Sequence, residues 1–248
     1  MTKSLNASQA ITEKSLKIGI VIPLRMTPDR ERSFYHVFKW LANEFVDIPL
    51  YISDSDGERF NVSEARNRGC LEAINDGVDI LMVLDADTTI TNRPNLDEAF
   101  ELATLGVLSM TKLHIQLSAR ESEEIFAGAE VKNKDFDLTE IENSPGGLWV
   151  FSVEVFQKIN GWDERFIGWG FEDNSLIKAY EKIYAKKVHR IDSIAVAFNN
   201  ETRDYTPESL RKNEEKYEHY EAISSKKEML KMVSKNMVHL DKKEVTLD

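Results

Sequence analysis

Two aspartates, Asp85 and Asp87, close the apolar run in the stretch MVLDADTTI (Met82–Ile90), with one small residue between them. No Lys or Arg lies within the stretch to pair them. If the run is a buried strand, alternation along it turns both carboxylates toward the same side. Two close carboxylates disfavour each other's ionisation unless a cation offsets them. A divalent ion of the Mg²⁺ type does this, because such ions commonly use one or two carboxylates plus phosphate oxygens. Two solvated aspartates at a strand end would leave the same letters.

A second constellation is INGWDERFIGWGFEDNSLI (Ile159–Ile177), where three glycines and two tryptophans surround four acidic residues. Glycine permits close backbone approach, and tryptophan offers a flat face suited to a sugar ring. Glu172 and Asp173 open a helix there, where the helix dipole favours the charged carboxylate that a general base requires. An acidic first turn beside core tryptophans is the plainer alternative. Other signatures are missing: no G-K-[ST] phosphate loop, no H-E-x-x-H helix and no dinucleotide fingerprint occurs. The five histidines are dispersed and read as surface or satisfied residues.

The elements that must position these groups alternate. KIGIVIPL reads as a buried strand, Phe34, Phe38, Leu41 and Phe45 as one face of a helix, and LYIS as a second strand. Asn61 with Glu64 opens the helix EARNRGCLEAIND, ILMVL is the third strand, Asn95 and Glu98 start another helix, and GVLSM is a strand. This order predicts an α/β fold with a mostly parallel sheet flanked by helices, whose ligands sit beyond the carboxyl ends of the strands. Three of those ends read PLR, SDSDG and DAD. Residues 111–145 read as a short helix and a mobile, charged loop suited to acceptor selection. LWVFS reads as a strand, Val153–Ile159 as a short helix, and KVHRI and IAVAF as two short strands. The expected organisation is a flexible stretch over 1–15, one domain over 16–205, and a charged helical tail over 206–248. Thr206 caps that tail, and Leu210, Tyr217 and Tyr220 dock it.

The totals limit the partners. A formal charge of -11 over 248 residues argues against a general polyanion-binding surface. The single cysteine, Cys70, precludes an internal disulfide or a cysteine-cluster zinc site. The N-terminus lacks a hydrophobic signal core, so the expected setting is cytoplasmic, with no membrane partner.

Taken in order, these pieces resemble the GT-A glycosyltransferases, nearest to family 2 and the galactosyltransferase C-terminal, family 7-like, group. IVIPLRMTPDRERSF is similar to their opening strand and Arg-bearing loop, FNVSEARNRGCLEA to their second helix, and MVLDADTTI to their metal strand. PGGLWVFSVEVFQKINGWDERFIGWGFEDNSL resembles their G-G…I-N-G…G-W-G-x-E-D block and is the most specific segment. The resemblance implies a nucleotide-sugar donor, most often a UDP-sugar, and a divalent Mn²⁺ or Mg²⁺ cofactor. It makes Asp87 the direct metal ligand and sends Asp85 to the ribose or a metal-bound water. Asp173 becomes the catalytic base of an inverting transfer, and Glu172 orients the acceptor. Pro23, Arg25, Asp54, Asp56, Arg66 and Gly147 fall at positions near the nucleotide, and Trp169 borders the sugar pocket. Where the family often supplies a metal-binding His, this chain reads AVAFNNETR, which leaves Asn199 as the candidate third ligand.

The acceptor stays open between a saccharide, a protein, a lipid-linked sugar and a hydroxymethylated DNA base, the last suiting a phage-encoded enzyme. Two other classes compete. A nucleotidyltransferase would release pyrophosphate and usually carries a Gly-rich first loop, which PLRMTPDRER lacks. A non-catalytic sugar-binding module would keep the pocket without turnover.

Overall fold

A computed structural model describes residues 16–129, 139–199 and 206–240. The chain runs β1 (Ile18–Pro23), α1 (Pro28–Glu44), β2 (Leu50–Ser53), α2 (Val62–Asn75), β3 (Ile80–Leu84), β4 (Thr88–Ile90), α3 (Asn95–Thr104) and β5 (Ser109–Gln116). It continues through α4 (Ala119–Phe126), β6 (Thr139–Glu142), β7 (Leu148–Ser152), α5 (Val153–Ile159), α6 (Glu172–Tyr184), β8 (His189–Ala197), α7 (Pro207–Ala222) and α8 (Lys226–Val233). The strands form one sheet in the order β2-β1-β3-β7-β5-β8-β4, with β6 paired to β5. Strands β1, β2, β3, β5 and β8 share a direction, and β4, β6 and β7 oppose it.

Strand alternation builds two cores. Val21, Leu81, Val83, Trp149 and Phe151 face one side with α2, α5 and α6. Ile20, Ile22, Met82, Leu84 and Val150 face the other with α1, α3 and α4. The expected α/β architecture, a mostly parallel sheet between helices, is what forms.

Local details depart from the sequence reading. KVHRI and IAVAF fuse into the single strand β8, because only Asp192 and Ser193 separate them and pairing with β5 resumes at Leu113/Ile194 after a register shift. Residues 111–145 are more ordered than a loop, holding most of β5, the capped helix α4 and strand β6; residues 130–138 of that loop lie outside the described residues. The charged C-terminal helices α7 and α8 pack against the body. Tyr220, Met229, Val233 and Met237 share a core with Trp162 and Phe166. Tyr220 donates its hydroxyl to Asp163 at 2.9 Å, and Tyr217 stacks on Phe171 at 5.5 Å between ring centres. The expected flexible stretch 1–15 lies outside the described residues. No helix among the described residues is long and apolar enough to cross a membrane.

Candidate active site

Helix α2 carries the residue around which the site is built. Its N-cap Asn61 accepts the Glu64 amide at 3.1 Å, and Ser53 Oγ on β2 donates to the Ala65 carbonyl at 2.7 Å. Gly69 lets the helix lie directly on the sheet, since a Cβ there would stand 2.5 Å from both Ser53 Oγ and Val21 Cγ1. This close seat sends Arg66 beneath the carboxyl ends of β1 and β3. Its side chain is only 2% exposed, with the guanidinium 4.3 Å from the Trp149 ring centre and 5.3 Å from that of Trp162.

Three carboxylates converge on that guanidinium. Nη2 donates to Asp85 Oδ1 at 2.8 Å, Nη1 donates to Asp173 Oδ1 at 2.7 Å, and Glu172 Oε1 lies 3.7 Å from Nη1. Asp85 therefore has a cationic partner, contrary to what its own stretch of sequence indicates; the partner comes from a helix nineteen residues earlier. Burial works against the Arg66 charge, yet Asp173, Asp85 and Glu172 together raise its pKa. Asp173 also accepts the Trp162 indole N–H at 3.1 Å. Burial lifts the Asp173 carboxyl well above the usual range, with Arg66 pulling the other way and Glu172 and Asp85 adding to the rise. Glu172 is likewise raised by burial against the pull of Arg66.

The two aspartates of the DAD stretch sit on a turn beyond the end of β3. The Thr88 amide donates to the Asp85 carbonyl at 3.1 Å, closing the turn into β4. A turn, rather than strand alternation, thus brings both side chains to one cleft. The Asp85 amide donates to the Gly147 carbonyl at 3.1 Å, and the Phe198 amide to the Asp87 carbonyl at 2.8 Å. Burial and then the Asp85 charge push the Asp87 carboxyl up to about 6, opposed by a hydrogen bond from Thr88 and by Arg30.

The opposite wall is the Gly168–Phe171 loop ahead of α6. Gly168, Gly170 and Phe171 all adopt positive φ, at 77°, 107° and 70°. Phe171 caps α6 without a side-chain bond, while Glu172 Oε2 accepts the Gly170 amide at 3.1 Å. Between the glycines Trp169 stands 48% exposed.

These walls enclose a cleft of about 680 Å³ at the carboxyl end of the sheet. Pro23, Arg66, Asp85, Asp87, Gly147, Trp169, Glu172 and Asp173 all line it. Arg25, Asp54, Asp56 and Asn199 do not. Arg25 instead bonds Asp54 at 3.0 Å and the carbonyls of Ser55 and Glu58 at 2.6 and 2.8 Å, bracing the loop that presents Phe60. Asp56 pairs with Arg68 on the outer side of α2. Asn199 follows β8, its amide bonded to Ser122 Oγ at 2.9 Å. Among the described residues no group of three or more His, Cys, Asp or Glu could hold a metal ion.

The cleft also recruits residues that motif reading passed over: Arg30, Phe60, His114, Gln116, Leu210 and Glu214. Phe60 carried a signal, because it directly precedes the helix cap Asn61. His114 and Gln116 share a strand face by their i, i+2 spacing, visible only once β5 is known to extend that far.

Known proteins now enter. Residues 129–200 match the family model described as the N-terminal domain of galactosyltransferase. A xylosylprotein 4-β-galactosyltransferase of Caenorhabditis elegans is 25% identical over 211 residues, covering 80% of this chain and 64% of that protein. Over these segments the sequence is similar to galactosyltransferases. Human β-1,4-galactosyltransferase 6 is 26% identical over 163 residues, 64% of this chain and 37% of the relative. The chain thus spans less than two thirds of either protein. Among solved structures, the catalytic domain of Drosophila β1,4-galactosyltransferase 7 in complex with xylobiose superposes with a TM-score of 0.46. It has 17% identity and covers 86% of this chain and 83% of that one. GalNAc-T7 with UDP, GalNAc and Mn²⁺ gives 0.47 at 13% identity over 84% and 48%.

Proposed function

We propose that this chain is a metal-dependent glycosyltransferase that moves a sugar from a nucleotide-sugar donor to an acceptor hydroxyl with inversion. The observation that carries the reading is Arg66, which joins the Asp85 end of the DAD turn to Asp173 and Glu172 on the floor of one cleft. The names of the sequence relatives support a galactosyl donor, hence UDP-galactose as the first to try. A saccharide acceptor suits the exposed Trp169 face.

The donor set fits a hard divalent cation. Asp87 and Asp85 supply carboxylate oxygens, and the raised Asp87 carboxyl marks negative charge that a dication would relieve. Mn²⁺ or Mg²⁺ held there, with donor phosphate oxygens and water completing its shell, would offset the charge on a departing diphosphate. Asn199 stands outside the cleft lining, so the proposed ligands are Asp87 and Asp85.

The chain's own residues account for the rest. Asp173 takes the acceptor's hydroxyl proton as the acceptor oxygen bonds to the anomeric carbon. The bond from that carbon to the diphosphate oxygen breaks, and the nucleoside diphosphate leaves. Burial raises the Asp173 carboxyl, which makes its ionised form a stronger proton acceptor, while Arg66 holds that form in place. Arg66 and the Trp162 indole fix its orientation through Oδ1. Glu172, tied back to the Gly170 amide, links the base to the Trp169 loop and orients the acceptor. The proposed nucleotide contacts are Pro23 and Phe60, with Arg25 acting by bracing the loop.

The test pairs binding with turnover. UDP-galactose with Mn²⁺, at about 100 times its Kd, stabilises the folded protein by roughly 2.7 kcal/mol, several degrees of Tm. EDTA abolishes that shift, and UDP is released when a saccharide acceptor is added. A folded protein that transfers sugar from no nucleotide-sugar would sink the proposal. Pyrophosphate release from a nucleoside triphosphate would replace it with a nucleotidyltransferase.

A further inference from the structure

Helix α7 lies outside the 129–200 segment that matches the galactosyltransferase family model, yet it forms part of the cleft wall. Leu210 and Glu214, one helical turn apart, both line the cleft. Leu210 presses on Gly170 so closely that a Cβ there would stand 2.8 Å from Leu210 Cδ1. Asn213, 1% exposed, donates its side-chain amide to the carbonyls of Ile167 at 3.2 Å and Trp169 at 3.5 Å. Tyr217 stacks on Phe171. Successive turns of α7 thus grip the loop that carries Trp169.

The charges along α7 divide by face. Glu208 pairs with Lys212 at 2.6 Å, and Glu215 pairs with Arg211. Glu214 is exposed, and among the described residues it has neither a hydrogen bond nor an ion pair. The cation nearest the floor, Arg66, is buried and taken up by three carboxylates. Arg30, the other cation in the lining, lies over the Phe60 ring at 5.5 Å. The cleft thus offers a flat apolar face, Trp169, and an acceptor-only carboxylate, Glu214, on the helix turn that holds the Trp169 loop through Asn213.

We infer that Glu214 determines acceptor specificity: with Trp169 it admits a neutral, hydroxyl-bearing saccharide and turns away anionic acceptors. A sugar ring stacks its C–H face on Trp169 while its hydroxyls donate to the Glu214 carboxylate. A uronate, sulfate or phosphate placed there meets a like charge, since among the described lining residues Arg66 is held by its carboxylates and Arg30 lies over the Phe60 ring. A DNA acceptor is disfavoured on the same ground. This inference rests on the glycosyltransferase reading above and names the acceptor class of that same site.

The experiment compares matched acceptors that differ in one charge, a β-glucoside against the β-glucuronide and N-acetylglucosamine against its 6-sulfate. Both pairs are run with wild type, Glu214→Gln and Glu214→Lys. The wild type prefers the neutral member of each pair. Glu214→Lys shifts the neutral-to-anionic ratio of kcat/KM toward the anion by roughly tenfold at low salt, carried by KM, and the shift shrinks at high ionic strength. Glu214→Gln shifts it less, in the same direction. A ratio unchanged in Glu214→Lys, in a protein that does transfer sugar, overturns the inference while leaving the transferase reading in place. Transfer by wild type to no acceptor of either kind overturns the transferase reading and this inference with it.

Discussion

Arg66 and Arg68 stand two positions apart on α2, and each gathers carboxylates from the loops beyond the strand ends. Arg66, 2% exposed, holds Asp85 and Asp173 between two tryptophan faces. Arg68, 27% exposed, holds Glu64 on its own helix and Asp56 on the loop after β2. The half turn between them, about 200°, places one cluster on the cleft floor and the other toward solvent. Burial makes the two unequal: a charge enclosed by protein cannot exchange its partner for water, and an exposed one can. By resemblance Asp56 and Arg66 both fall at positions near the nucleotide, yet only Arg66 reaches the cleft.

The largest effect expected is at Arg66. Arg66→Met leaves three carboxylates close together without their cation, and breaking a buried ion pair from one side costs about 3–5 kcal/mol. In a chain of this size that is on the order of 10 °C of Tm, and transfer is lost as well. Differential scanning calorimetry checks it; a Tm within a degree of wild type would place Arg66 in the same class as Arg68. Asp173→Asn comes next and separates catalysis from folding. The amide keeps an oxygen for Arg66 and Trp162 but cannot take a proton, so kcat falls by about 10²–10⁴ while donor binding persists. Unchanged kcat would remove Asp173 from the role of base.

The contrast also explains what was legible in the sequence. The DAD and G-W-G-F-E-D segments could be read because their residue types are costly to bury without a purpose, and both do meet at the cleft. The alternation of β1–α1–β2–α2–β3 was equally plain, since each element carries its own period. The pairing of Asp85 with Arg66 was not, because nothing local marks a residue as facing inward between Trp149 and Trp162. Arg25, Asp54 and Asp56 matched by position, but the loop folds onto itself and Arg25 is used up bracing it. The share of α7 in the cleft was hidden for a related reason. Its charged sequence reads as a helical tail docked through Leu210, Tyr217 and Tyr220, and nothing local marks Leu210 and Glu214 as lining a cleft or Asn213 as gripping the Trp169 loop.

Smaller effects sharpen the comparison further. The Asp87 carboxyl, raised to about 6, has a folded-state pKa above its unfolded one, so folding favours its protonated form. That contribution is fully present below about pH 4, fades as pH rises through about 6, and leaves a desolvated charge beside Asp85 at neutral pH. Asp87→Asn therefore stabilises the metal-free protein at pH 7.5, on the order of 1–2 kcal/mol, and hardly at pH 4. The same variant loses the Mn²⁺-dependent thermal shift with UDP-galactose. A destabilised Asp87→Asn at neutral pH would contradict the strained carboxylate. Arg25→Ala frees two loop carbonyls and the support behind Phe60, so donor KM rises severalfold while kcat stays near wild type. A fall in kcat instead would bring Arg25 into the chemistry.

Arg68→Ala should do least. Glu64 keeps a second partner, the Asp56 amide at 3.0 Å, so removing the guanidinium does not leave its carboxylate without a hydrogen bond. Asp56 returns to water, where a carboxylate is well solvated. An exposed pair such as Arg68–Asp56 contributes about 0–1 kcal/mol, and salt screens it. Urea unfolding of wild type and Arg68→Ala, at 20 mM and 500 mM NaCl, should give midpoints that nearly coincide and converge as salt rises. A loss approaching that of Arg66→Met, or one indifferent to salt, would mean that the outer cluster is as closed to solvent as the inner. Burial would then no longer be what distinguishes the two arginines.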